Sequence, residues 1–143
     1  MDGRIVCFVK DVIHSTDGIE ANTERILSRI IDNGIEVAIY ESNGVGLAAI
    51  MTISKQLPKN VKLVPHSASI QKETRILSHY EFVQKFFVFD VNYKANKEYT
   101  AFISDLTSYL KDGDNKHKAD AIDVMCAAAH MVKLRYHKII YGT

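Results

Sequence analysis

The sequence predicts an α/β domain, with one small mixed sheet and helices on its faces, and three observations predict it. Strand-like and helix-like segments alternate along the chain; 143 residues is the length of one core; and 47% hydrophobic with 24% charged residues is the balance of an ordinary folded chain. With only 7 Gly and 2 Pro, collagen-like and low-complexity classes are excluded. No repeat, linker or compositional break divides the sequence, so 1–143 is read as a single domain. Eighteen Lys+Arg against 17 Asp+Glu leave a net charge of +1, so any binding of a polyanion has to come from local clusters.

The first strand is predicted over Arg4–Ile13, rich in β-branched and aromatic residues and closed by the turn cluster Ser15-Thr16-Asp17-Gly18. Ile19, Ile26, Leu27, Ile30 and Ile31 then recur at helical spacing, with Thr16 and Asp17 as caps and Asn33-Gly34 as the terminator. Glu36–Tyr40 is a short strand that places Glu41 at its carboxyl end, before the glycine-containing turn through Ser42, Asn43 and Gly44. A buried helix is expected over Val45–Leu57, stopped by Pro58, and a strand over Val61–Val64. Next come a helix over Ser69–Leu77 and an aromatic strand over Phe82–Phe89. Asn96 caps a helix with Tyr99, Phe102, Ile103, Leu106, Tyr109 and Leu110 on one face. The last helix runs over Ala119–Arg135 with the stripe Ile122, Met125, Ala129 and Val132, and Leu134–Thr143 is either frayed or an edge segment.

Cys7 and Cys126 are isolated, with no CxxC, and are read as buried thiols of a reducing cytoplasm. No apolar run approaches the ~20 residues needed to span a bilayer, so no membrane partner is expected. A serine nucleophile elbow, a P-loop and paired zinc-ligand spacing are all lacking.

Two acidic constellations remain. Glu41 stands at a strand's carboxyl end, where α/β sheets gather ligands, and Asn43 beside it can orient a carboxylate or a water; a carboxylate there also caps the following helix. Asp120 and Asp123, three apart in the last helix, share a face and suit a hard divalent cation, although acidic residues in a first turn also simply answer the helix dipole. Lys116 and Lys118 before that helix, and Lys72 with Arg75 in mid-chain, are candidate phosphate contacts or an ordinary solvated surface.

Taken in order, RIVCFVKDVIHST, EANTERILSRI, IYESNGVG, QKETRI, FFVFDVNY, NKEYTAFISDL and HKADAIDVMCAAAHM resemble the C-terminal nuclease domain of phage terminase large subunits. The resemblance covers nearly the whole chain. It implies a ribonuclease-H-like fold that cuts double-stranded DNA with carboxylate-held Mg²⁺ or Mn²⁺ in the host cytoplasm. Glu41 and Asn43 match the family's E-x-N motif, and His117–Asp123 match its H-D-D-A-x-D motif, with Ala119 where the first aspartate usually stands. Glu41 and Asp120 are thus implied as catalytic metal ligands, Asp123 as a further or supporting ligand and Asn43 as a supporting group.

The family's first strand, with its aspartate, has no counterpart in the sequence. Arg4–Ile13 and Glu36–Tyr40 are then expected to pair directly, to accept a strand from another chain, or to sit in a rearranged sheet. The implied partners are DNA, the terminase ATPase portion, other packaging proteins, and a homo-oligomer or strand donor. The competing expectation is a catalytically incomplete DNA- or protein-binding module of the same fold.

Overall fold

Ile122, Met125, Ala129 and Val132, the stripe expected on the last helix, are all buried and form the spine of the larger core. The computed structural model describes residues 5–43, 45–67, 70–112 and 119–142. In chain order the elements are β1 (Cys7–Val9), α1 (Ile19–Asp32), β2 (Val37–Glu41), α2 (Val45–Ser54), β3 (Lys62–His66), α3 (Lys72–Phe86), β4 (Phe87–Phe89), a 3₁₀ turn (Tyr93–Ala95), α4 (Lys97–Asp112), α5 (Ala119–Arg135) and α6 (His137–Tyr141). The chain is α/β and divides into two compact units, Met1–His14 with Ile70–Thr143, and Ser15–Ser69.

In the first unit α5 packs against both α3 and α4. Ala121 and Ala129 on α5 are almost wholly buried, and such small side chains let neighbouring helices approach closely enough to exclude water. From α3 come Ile76, Phe82 and Val83, and from α4 Phe102 and Leu106. β1 and β4 pair in parallel, Cys7 opposite Phe87 and Val9 opposite Phe89. Since side chains alternate along a strand, these four residues pack on the helical core, whereas Phe8 and Val88, opposite one another, are exposed on the other face. Tyr99 ties the layers together: its hydroxyl donates to the Val9 carbonyl and accepts from the Asp90 N–H.

The second unit is a β2–α2–β3 crossover with α1 against α2. Its strands are parallel, Val37 opposite Lys62 through Glu41 opposite His66. Pro65 is tolerated because a two-stranded sheet leaves one edge of each strand without a ladder partner. Asn22 is buried and fully used, donating to the carbonyls of Asp17 and Gly18 and accepting from Arg25.

Several local expectations are corrected. In place of one mixed sheet, the described residues form two separate parallel pairs, β1–β4 and β2–β3. Among the described residues the first strand, expected over Arg4–Ile13, is the three-residue Cys7–Val9, Arg4 lying outside them. Thr16 and Asp17 do not cap α1; Gly18 occupies that position without a side-chain bond, and the Asn22 amide donates back to the carbonyls of Asp17 and Gly18. The helix after Gly44 ends at Ser54 rather than Leu57, and it buries only one face, with Ala49 and Ile53 inside and Leu47 and Met51 exposed. The helix expected over Ser69–Leu77 runs from Lys72 to Phe86, Ser69 lying outside the described residues, so Phe82–Phe86 is helical and only Phe87–Phe89 is strand. Helical spacing puts Phe82 and Phe86 in ring contact at 4.5 Å between centroids, contact that an extended chain would not make. The tail is neither frayed nor an edge strand but the short helix α6, closed by Gly142 in the left-handed conformation.

Other signals hold. Gly34, at φ +59°, terminates α1, with its N–H donating to the Ile31 carbonyl. Asn96 caps α4 by accepting the Tyr99 N–H at 3.1 Å. No helix among the described residues is long and apolar enough to cross a membrane.

Candidate functional site

At the carboxyl end of β1 the chain runs through Asp11, Val12, Ile13 and His14 along the wall of a cavity of about 320 Å³. Asp120, in the first turn of α5, lines the same cavity, and Val9, Phe87, Phe102 and Met125 give it apolar walls. Apolar walls with a few convergent polar groups are the usual composition of a ligand site, and the carboxyl end of a strand in a parallel pair is where such sites gather.

His14 Nε2 stands 2.8 Å from Asp105 Oδ2, each side chain more than two-thirds covered. A carboxylate only accepts, so Nε2 carries the proton and Nδ1 is the basic nitrogen of the neutral ring. The ring also meets Phe102 edge-on, centroids 5.8 Å apart. Two independent contacts therefore hold the imidazole, one polar and one aromatic. The Val12 N–H donates to Asp11 Oδ1 at 2.9 Å, which turns that carboxylate back over its own loop.

The acidic pair of α5 meets the basic pair of α3. Lys72 Nζ lies 3.2 Å from Asp120 Oδ1, with the aspartate side chain 88% exposed. Arg75 donates from Nη2 to both Asp123 oxygens, at 2.9 and 3.0 Å, in a largely covered position. A cation at Asp123 would have to displace a guanidinium, whereas at Asp120 it would displace only an exposed ammonium. Lys72 and Arg75, expected as phosphate contacts, thus spend charge on carboxylates; Lys116 and Lys118 lie outside the described residues.

Glu41 is the last residue of β2 and is exposed, as is Asn43 just beyond it. The neighbouring Ser42 N–H donates to the His66 carbonyl at 3.0 Å, which anchors the turn. Glu41 and Asn43 belong to one unit, and Asp120 and Asp123 to the other. Among the described residues no three His, Cys, Asp or Glu side chains form a group able to hold a metal ion.

Neither thiol is an activated nucleophile. Burial, then the nearby Asp123 charge, push Cys126 up to about 11, outweighing Lys133 and Arg75; burial also raises Cys7. Both cysteines are free.

Nothing in the sequence joins His14 to Asp105, because they are 91 positions apart and carry no spacing signature. The available signal was the place of His14, just beyond a strand's carboxyl end and three residues after Asp11. Comparison with protein-family models, curated proteins and solved structures returns no match.

Proposed function

We propose that the chain is a ribonuclease-H-like, metal-dependent endonuclease domain of a DNA-packaging terminase large subunit, hydrolysing phosphodiester bonds of double-stranded DNA. The observation that carries the reading is the position of Asp120. The residue that the motif order selects as a metal ligand is an exposed carboxylate on the wall of a cavity at the carboxyl end of β1.

The donor chemistry suits the group. Mg²⁺ and Mn²⁺ take hard oxygens, and Mg²⁺ in particular is held by one or two carboxylates with several waters rather than by a full protein cage. The motif resemblance assigns it Glu41, supported by Asn43, from one unit and Asp120, supported by Asp123, from the other. When bound, the ion lowers the pKa of water and neutralises charge on the scissile phosphate. The protein's own part is to present Asp120, held among the described residues only by Lys72, and to wall the cavity with apolar side chains. The same reading carries the ATPase portion, other packaging proteins and a homo-oligomer or strand donor as partners.

A second reading, a catalytically incomplete module that binds DNA or packaging proteins, is favoured by the pairing of Asp120 with Lys72 and of Asp123 with Arg75. Nicking of supercoiled plasmid separates the two. The nuclease reading expects cleavage that requires Mn²⁺ or Mg²⁺ and falls at least about 100-fold in both Glu41→Ala and Asp120→Ala, on the scale of losing a catalytic group. A folded wild-type chain that leaves the plasmid intact but retards DNA in a gel would establish the second.

A further inference from the structure

We infer that His14, held by Asp105, is the proton-accepting group of the cavity, taking the proton of the water that attacks the phosphodiester. This rests on the nuclease reading and adds to it a residue that the motif resemblance does not assign.

Three observations converge. His14 lines the cavity shared with Asp120. Its Nε2–H is fixed on the Asp105 carboxylate at 2.8 Å, so the neutral tautomer carries its lone pair on Nδ1. The edge contact with Phe102 restrains rotation of the ring. A carboxylate behind a histidine both selects the tautomer and stabilises the imidazolium that forms when the ring accepts a proton. An imidazole that only filled space would need no carboxylate partner 91 positions away.

In the step, the water oxygen forms a bond to phosphorus and its proton passes to Nδ1 of His14. The bond from phosphorus to the leaving ester oxygen breaks, its electron pair stays on that oxygen, and solvent protonates it. The imidazolium then returns its proton to solvent, leaving a phosphomonoester and an alcohol with the enzyme unchanged. Asp105 acts through His14 and is a positioning residue.

Of the charged groups, Asp105 from α4 bonds the ring, while Asp11 from its own segment and Asp120 from α5 line the cavity with His14, Asp120 being paired with Lys72.

The test is Mn²⁺-supported hydrolysis of plasmid and of bis-p-nitrophenyl phosphate by the full chain, with Mn²⁺ affinity measured separately by calorimetry. His14→Gln is expected to lose about 100-fold in kcat, at the lower end of general-base contributions, and to lose the acid limb of the pH profile while binding Mn²⁺ within twofold of wild type. Asp105→Asn is expected to lose about tenfold, with Mn²⁺ affinity again unchanged. His14→Ala, with added imidazole, should recover activity and serves if the glutamine variant does not fold. A His14→Gln enzyme with wild-type kcat and an intact acid limb overturns the inference and leaves the nuclease reading standing. Loss of Mn²⁺ affinity in that variant overturns it in favour of a metal ligand. A folded wild-type chain that hydrolyses neither substrate removes the nuclease reading, and the inference with it.

Discussion

Arg75 does more for α5 than Lys72 can, because its Nη2 reaches both oxygens of Asp123 in a covered position while its Nη1 donates to the Ile70 carbonyl. Lys72 on Asp120 is a single contact to a carboxylate open to water, where solvent screens most of the attraction. Arg75→Ala is therefore expected to cost about 2 kcal/mol, the scale of a charged hydrogen bond lost from a partly buried pair. Urea denaturation monitored by circular dichroism measures it, and a midpoint equal to that of Lys72→Ala would contradict the distinction. The same contrast bears on chemistry, since Asp120 is the carboxylate that a cation can reach with less competition. Lys133 illustrates why charge in a sequence is a poor guide to use: its ammonium donates to the Ser78 carbonyl, contacts His79 and lies over the Phe82 ring.

At the scale of the element, α5 was legible throughout, from Ala119 to Arg135, because a long amphipathic segment satisfies the same pattern at every turn. Asn96 and Gly34 were legible for a similar reason, since each meets a need of the helix end that few residue types can meet. The run Phe82–Phe89 was not. Its aromatic and β-branched residues fit a strand and a helix equally well, and helical spacing from Ile76 through Val83 onto the α5 core decided the first half. The helix hands over to the strand at Phe87 with no intervening turn, so no glycine or proline marked the boundary. Ile122, fully buried on α5, should cost about 3 kcal/mol when cut to alanine, through lost apolar transfer and the void left behind. Leu77→Ala, at a position 79% exposed on α3, should fall within about 0.5 kcal/mol of wild type. Equal losses in thermal or urea melts would place the core elsewhere.

Across the whole molecule, buried residues are unequally shared. The unit of Met1–His14 with Ile70–Thr143 contains the cluster from Ile76 to Val132, whereas that of Ser15–Ser69 buries Asn22, Ala49 and Ile53 among its described residues. Protection from exchange follows buried apolar contact. Backbone amides of α5 and the middle of α4 are therefore expected to exchange slowest, and those of α2 at least tenfold faster, in native-state hydrogen exchange read by mass spectrometry or NMR. Uniform protection would mean that the two units open as one. Parallel pairing within each unit also explains why neither sheet is closed by a hairpin: parallel neighbours need a crossover, and α2 supplies one between β2 and β3.

Local pattern is enough for the α/β class, the ends of the strongest helices, the stripe that α5 buries and the place of Glu41 at the end of a strand, because each follows from periodicity and from the hydrogen-bonding needs of a chain end. Only packing decides that Phe82–Phe86 coils, that the strands form two parallel pairs, that Arg75 takes Asp123, that His14 meets Asp105, and that His14 and Asp120 line one cavity. Those outcomes depend on contacts between residues tens of positions apart, and no local pattern encodes which distant side chain will satisfy a given charge or cover a given apolar face.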